Sequence, residues 1–140
     1  MLDSGTALQG VDGSRVLSID AMGGDNGPAT VVAGLSLFLK KNPGTQVMLH
    51  GRAKELTPLL AKHGLTDIVI LRDASDVVTM HDKPSHVVRH GKATSMWSPI
   101  EAVRTGEAGV VVSCGNTGGL MAMSMLRLRK IDGVNRPAIA

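Results

Sequence analysis

Aromatic residues are almost missing from this chain. Phe38 and Trp97 are present, Tyr is absent, and aromatics make up 1% of 140 residues. Without aromatic platforms, stacking on single-stranded nucleic acid is excluded as a main activity. Charge of one sign is also scarce. A formal net charge of +3 is too mild for an electrostatic grip on a phosphate backbone, so no nucleic-acid partner is expected. The single cysteine, Cys114, excludes an internal disulfide and suits a reducing, cytoplasmic setting. Residues 1–15 hold no basic segment followed by an apolar one, so no signal peptide is read. No apolar run approaches the ~20 residues that a membrane span needs. What is present is 43% hydrophobic and 19% charged, enough for the aliphatic core of about one ordinary domain.

Residues 1–14 are rich in Gly, Ser and Asp without periodicity and read as a flexible leader. From residue 15 onward, strands and helices alternate. Short apolar runs at 16–21, 46–50, 67–71 and 109–113 read as strands. Helical spacing is read at 28–41, 54–63, 82–91, 98–105 and 120–130. In the first of these helices Val31, Val32, Leu35, Phe38 and Leu39 share a face. Pro28 suits its first turn, residues 42–44 stop it, and Gly64 closes the second helix. Residues 136–140 read as the opening of a further strand, which predicts a longer natural domain. Continuous apolar strands alternating with helices imply a mostly parallel sheet covered on both faces, a three-layer α/β/α arrangement.

Three segments could carry chemistry. The first, Asp20-Ala21-Met22-Gly23-Gly24-Asp25-Asn26-Gly27-Pro28, joins a strand to a helix start. Its glycines allow close backbone approach, and the helix start favours an anion. The second, residues 113–119, repeats the pattern with Gly115, Asn116, Thr117, Gly118 and Gly119, a backbone nest at a helix start. It is neither a Walker A loop, since no Lys follows the glycines, nor a dinucleotide fingerprint. The third, residues 89–97, gathers Arg89, Lys92, Thr94 and Ser95 in a loop that could hold a phosphate. A connecting turn would explain the first segment equally well, the signal in the second is modest, and most clusters like the third are solvated loops.

Two further features point less far. Cys114 sits beside a helix start that would lower a thiol pKa, but no base is placed by sequence to serve it. A small buried cysteine at a strand end is the expected role. Asp82, His86 and His90 recur at helical spacing like zinc ligands, but no further ligand accompanies them, so no metal is expected.

Together these segments resemble one family: Ile19-Asp20-Ala21-Met22-Gly23-Gly24-Asp25, Met80-His81-Asp82-Lys83-Pro84-Ser85, residues 92–97, Val112-Ser113-Cys114-Gly115-Asn116-Thr117-Gly118-Gly119-Leu120-Met121-Ala122, and Arg136-Pro137-Ala138. In order and spacing they are similar to the phosphate acyltransferase of bacterial phospholipid synthesis, the PlsX family. The resemblance covers residues 15–140, read as the N-terminal part of the family's domain. It implies a Rossmann-like fold related to phosphotransacetylase and isopropylmalate dehydrogenase. It also implies a homodimeric, cytosolic enzyme able to associate with the membrane surface, which moves an acyl group from acyl carrier protein to inorganic phosphate with no cofactor. The chain departs from the family pattern at Cys114 and Gly119, where the family usually has Ala, and at Thr94, where it usually has Ser. Family chains are also much longer. Rival readings are a coenzyme A-dependent phosphotransacylase on the same architecture and a non-catalytic fragment that binds phosphate or carrier protein. A nicotinamide dehydrogenase stands further off.

Phosphate is already a nucleophilic dianion near neutral pH, so such a site needs positioning and oriented N–H donors rather than a covalent intermediate. The expected phosphate site is Gly115, Asn116, Thr117 and Gly118, helped by Lys92 and Ser95. Asn116, Thr117 and Lys92 are the expected catalytic residues. Asp20, Gly23, Gly24 and Asp25 are expected to shape the substrate loop, with the two aspartates orienting donors rather than acting as bases. Arg127, Arg129, Lys130 and Arg136 could meet an acidic carrier protein.

Overall fold

The computed structural model describes residues 13–138. The expected leader lies outside them up to residue 12, and Gly13–Arg15 form a 3-10 turn that leads into the first strand. Four strands follow: β1 (Val16–Asp20), β2 (Gln46–Gly51), β3 (Val69–Asp73) and β4 (Val110–Val112). They form one parallel sheet in the order β3-β2-β1-β4. The helices are α1 (Gly27–Lys41), α2 (Ala53–Lys62), α3 (Pro84–His90), α4 (Trp97–Arg104) and α5 (Thr117–Leu128), with a short 3-10 turn at Gly91–Ala93. This is a three-layer α/β, Rossmann-like architecture. Among the described residues no helix is long and apolar enough to cross a membrane.

Alternation along the strands sorts side chains between two cores. On one face Leu17, Ile19, Val47, Leu49, Val69 and Leu71 pack against α1 and α2. On the other, Val16, Met48 and Ile70 meet Ala102 and Val103 of α4. A third cluster, with Val87, Met96, Trp97, Ile100 and Met123, joins α3, α4 and α5.

Local signals account for most boundaries. Pro28 lies in the first turn of α1, and the Asn42 N–H closes its end on the Phe38 carbonyl. α5 begins at Thr117, three residues before the expected start, because the Asn116 side chain caps it. β3 begins two residues late because a turn from Leu65 to Val69 follows α2.

Three expectations need correction. β4 is not covered on both faces: Val110 is 46% and Val112 41% exposed, because among the described residues β4 is an edge strand over which neither α1 nor α2 reaches. Phe38 is 40% exposed rather than part of the buried face of α1. The covering face of that helix is Val32, Leu35, Ser36 and Leu39, and Phe38 lies on the flank toward β4. Residues 136–138 are a bend and coil rather than a strand, and residues 139–140 of that expected strand lie outside the described ones.

Candidate active site

The sheet order places β2 on one side of β1 and β4 on the other. In open parallel sheets, the crevice at the carboxyl ends of strands where the winding reverses is where ligands bind. Two of the three glycine- or hydroxyl-rich segments, those after β1 and β4, flank this crevice, and the third enters α4 beside it.

Asp20 ties them together. It ends β1, is 2% exposed, and accepts four hydrogen bonds. Its Oδ1 accepts from the Met22 N–H at 3.0 Å, the Gly23 N–H at 3.2 Å and the Ser95 hydroxyl at 2.6 Å. Its Oδ2 accepts from the Ser113 hydroxyl at 2.8 Å. Ser113 in turn accepts from the Gly115 N–H at 3.1 Å. With donors from three loops on its two oxygens, Asp20 organises the loops. Ser95, fully buried, spends its hydroxyl hydrogen on Asp20 and has no O–H left for an anion.

The glycine turns meet directly. A Cβ on Gly23 would lie 2.7 Å from Asp20 Oδ2 and 2.8 Å from the Gly115 nitrogen, atoms that cannot move aside. Gly24 has φ +101 and packs against Cys114, a backbone that L side chains rarely adopt.

Asn116 is committed as well. Its Oδ1 accepts from the Gly119 N–H at 2.9 Å, while its Nδ2 donates to the carbonyls of Thr79 at 3.0 Å and Asp82 at 2.8 Å. It therefore joins the start of α5 to the turn before α3. The Asp82 carboxylate accepts from the Thr79 N–H at 2.8 Å, and that bond holds its pKa below the usual carboxylate value. The His86 and His90 rings meet at a tilt of 38°, with centroids 4.7 Å apart. Among the described residues no group of three His, Cys, Asp or Glu side chains is placed to hold a metal.

The remaining candidates are free. Lys92, Thr117 and Asp25 are exposed. Among the described residues none of the three enters an ion pair. Asp20, Gly23, Gly24 and Asp25 line a trough of about 610 Å³ that continues between α1 and the β1–β4 edge past Leu17, Ile19, Leu35, Phe38 and Val112. Lys92, Ser95, Asn116, Thr117 and Gly118 do not line it. Cys114 does, and it is exposed rather than buried, because the edge position of β4 leaves its strand end open.

Of the four basic residues considered for carrier docking, Arg127 is engaged elsewhere. It pairs with Glu101 and lies over the Trp97 ring, 5.0 Å from its centroid. Arg127, followed by Arg104, holds the Glu101 carboxyl below its usual range. Lys130 donates to the Asn135 carbonyl at 3.0 Å. Arg129 and Arg136 are exposed.

Sequence reasoning missed Ser113 as a partner of Asp20, and it missed a buried histidine. His50 is 1% exposed at the end of β2. Burial first, and the Arg72 charge second, lower its pKa to about 3. The available signal was a histidine closing an apolar strand, Val47-Met48-Leu49-His50.

A family model described as a fatty acid synthesis protein matches residues 15–140. The chain belongs to that family. Similar curated proteins include a phosphate acyltransferase from Jannaschia sp. (strain CCS1), 60% identical over 141 residues, covering 100% of this chain and 39% of the relative. Another from Dinoroseobacter shibae is 64% identical over 126 residues, covering 89% and 33%. A third from Paracoccus denitrificans is 62% identical, covering 89% and 34%. The chain thus spans between 33% and 39% of the length of these curated relatives.

Proposed function

We propose that residues 15–140 form the N-terminal part of a phosphate acyltransferase domain. Its reaction moves a fatty acyl group from acyl carrier protein to inorganic phosphate. A phosphate oxygen bonds to the thioester carbon, the tetrahedral oxyanion collapses, the C–S bond breaks, and the carrier thiolate takes a proton from water. The products are acyl phosphate and free carrier protein.

The observation that carries this reading is the convergence of three loops on Asp20 at the sheet's switch point, in a chain about 60% identical to proteins named phosphate acyltransferase. In this division of labour, Asp20, Ser95 and Asn116 are framework, Gly23 and Gly24 shape the substrate loop, and Asp25 stands at its outer edge. Lys92, Thr117 and the backbone N–H of Gly118 in the first turn of α5 receive phosphate, while the Gly115 N–H is held by Ser113 and shapes the turn. The lysine supplies the charge, and the helix start supplies N–H donors. Carrier protein, a second copy of the full-length chain and a membrane surface complete the proposed partners.

The test is phosphate-dependent release of free thiol from acyl carrier protein thioester by the folded chain, alongside direct phosphate binding followed by phosphorus NMR. Lys92→Ala and Thr117→Val are each expected to weaken phosphate binding about tenfold, the loss of roughly one charge-assisted hydrogen bond. Phosphate binding without thiol release would leave the chain as a phosphate-binding fragment. Equal turnover of coenzyme A thioesters would replace carrier protein with coenzyme A. Unchanged phosphate binding in both variants would overturn the assignment.

A further inference from the structure

One buried titratable group takes no part in the proposed chemistry. The His50 ring lies between two serines. Its Nε2 is 2.8 Å from Ser18 Oγ, and its Nδ1 is 2.7 Å from Ser98 Oγ. Ser18 Oγ is also 3.2 Å from the Pro99 carbonyl, which can only accept. The hydroxyl has one hydrogen, so Ser18 donates to Pro99 and accepts from His50. That places the imidazole proton on Nε2. A neutral ring then has a bare Nδ1, which accepts from the Ser98 hydroxyl.

The chain of bonds therefore starts and ends in the first turn of α4, at Ser98 and Pro99, and passes through β2 and β1. Two residues further along β1 stands Asp20, and three residues before Ser98 stands Ser95. β1 is thus tied twice to α4 and the residues that lead into it, by Ser18–His50–Ser98 through β2 and by Asp20–Ser95 directly. The two titratable groups beside His50 in register are Asp20 on β1 and Arg72 on β3. Asp20 takes its hydrogen bonds from Met22, Gly23, Ser95 and Ser113 and none from the ring. The His50 carbonyl also accepts from the Ala21 N–H at 2.9 Å, inside the β1–α1 loop.

We propose that His50 is a positioning residue of this site: as the neutral Nε2–H tautomer it laces the first turn of α4 to β1 and β2, and so holds Ser95 within reach of Asp20. The inference concerns how the loop junction is built and does not depend on the phosphate acyltransferase reading. Burial with no carboxylate bonded to the ring keeps it neutral through the physiological range, in line with its lowered pKa.

Two measurements on the whole chain test it. Nitrogen NMR of the His50 ring should show a protonated Nε2 and a bare Nδ1, unchanged from about pH 5 to about pH 8. Amide hydrogen exchange should then be followed at Met22 and Gly23, whose N–H groups end on Asp20, against Met48 and Leu49 in the core of β2. His50→Leu is expected to speed exchange at the first pair about tenfold more than at the second. Ser98→Ala should do so more weakly. His50→Gln, with one acceptor and a donor on its terminal amide, should restore most of the protection. An Nδ1–H tautomer or a ring that titrates in that range overturns the proposal. So does exchange at Met22 and Gly23 that changes only in step with Met48 and Leu49. If His50→Leu does not fold, Ser98→Ala and the ring spectrum of the unmodified chain still decide.

Discussion

The floor and the rim of the site are made of similar residue types in different states. On the floor, Asp20, Ser95, Ser113 and Asn116 have their hydrogen-bonding groups committed to other loops. On the rim, Asp25, Lys92 and Thr117 are exposed. Asp20 and Asp25 lie five residues apart in one glycine-rich segment, yet one is buried in a net of donors and the other faces water. A buried polar group is tolerated only when satisfied, and removing its partner leaves the others unpaired. The floor should therefore govern stability, and the rim should govern ligand binding with little effect on stability.

The sharpest break of this contrast is Asp20→Ala. It strips the acceptor from two backbone N–H groups and two hydroxyls, and is expected to cost about 3 kcal/mol or more. Chemical denaturation would show it as a shifted midpoint, and a change under about 0.5 kcal/mol would dissolve the distinction.

Acid should act on the same floor. The His50 pKa falls from 6.5 to about 3 on folding, so between those values the unfolded chain binds the extra proton. This contribution to stability is complete above the unfolded value and is lost as pH drops toward the folded one. The expected slope is about 1.4 kcal/mol per pH unit in that window, on top of the ordinary carboxylate effect. Measuring His50→Gln beside the unmodified chain isolates it, since the variant should lack this slope.

Asn116→Ala comes next, with an expected loss of about 1–2 kcal/mol from the missing cap on α5 and the two released carbonyls. Smallest of all should be Lys92→Ala and Thr117→Val, each within about 0.5 kcal/mol in melting experiments while phosphate binding weakens. A large loss of stability in either would move that residue from rim to floor.

Much of the fold was legible in the chain because its signals are local. Pro28, the Asn42-Pro43-Gly44 stop and Gly64 mark helix ends through backbone chemistry that needs no distant partner. The strand and helix alternation of residues 16–113 implied a parallel sheet for the same reason. Burial was less legible. Val110-Val111-Val112 reads like any core strand, but its exposure depends on the neighbours it pairs with, and among the described residues β4 pairs with β1 alone. Phe38 and Cys114 were misread for that same edge.

The candidate loops were likewise legible, and their division into floor and rim was not. Nothing in residues 89–97 distinguishes Lys92 from Ser95 as an anion ligand. The difference is the Asp20 carboxylate 75 positions away along the chain. Ser18, His50 and Ser98 carry no motif at all, since their roles arise from contacts 32 and 48 residues apart.

The sequence by itself determined the turns, the helix ends, the parallel α/β order and the family, because each rests on short-range backbone preferences or on residue order. Only the tertiary structure decided which polar groups are consumed and which remain free, and which strand lies at the edge. Those outcomes depend on distances between atoms brought together from remote parts of the chain.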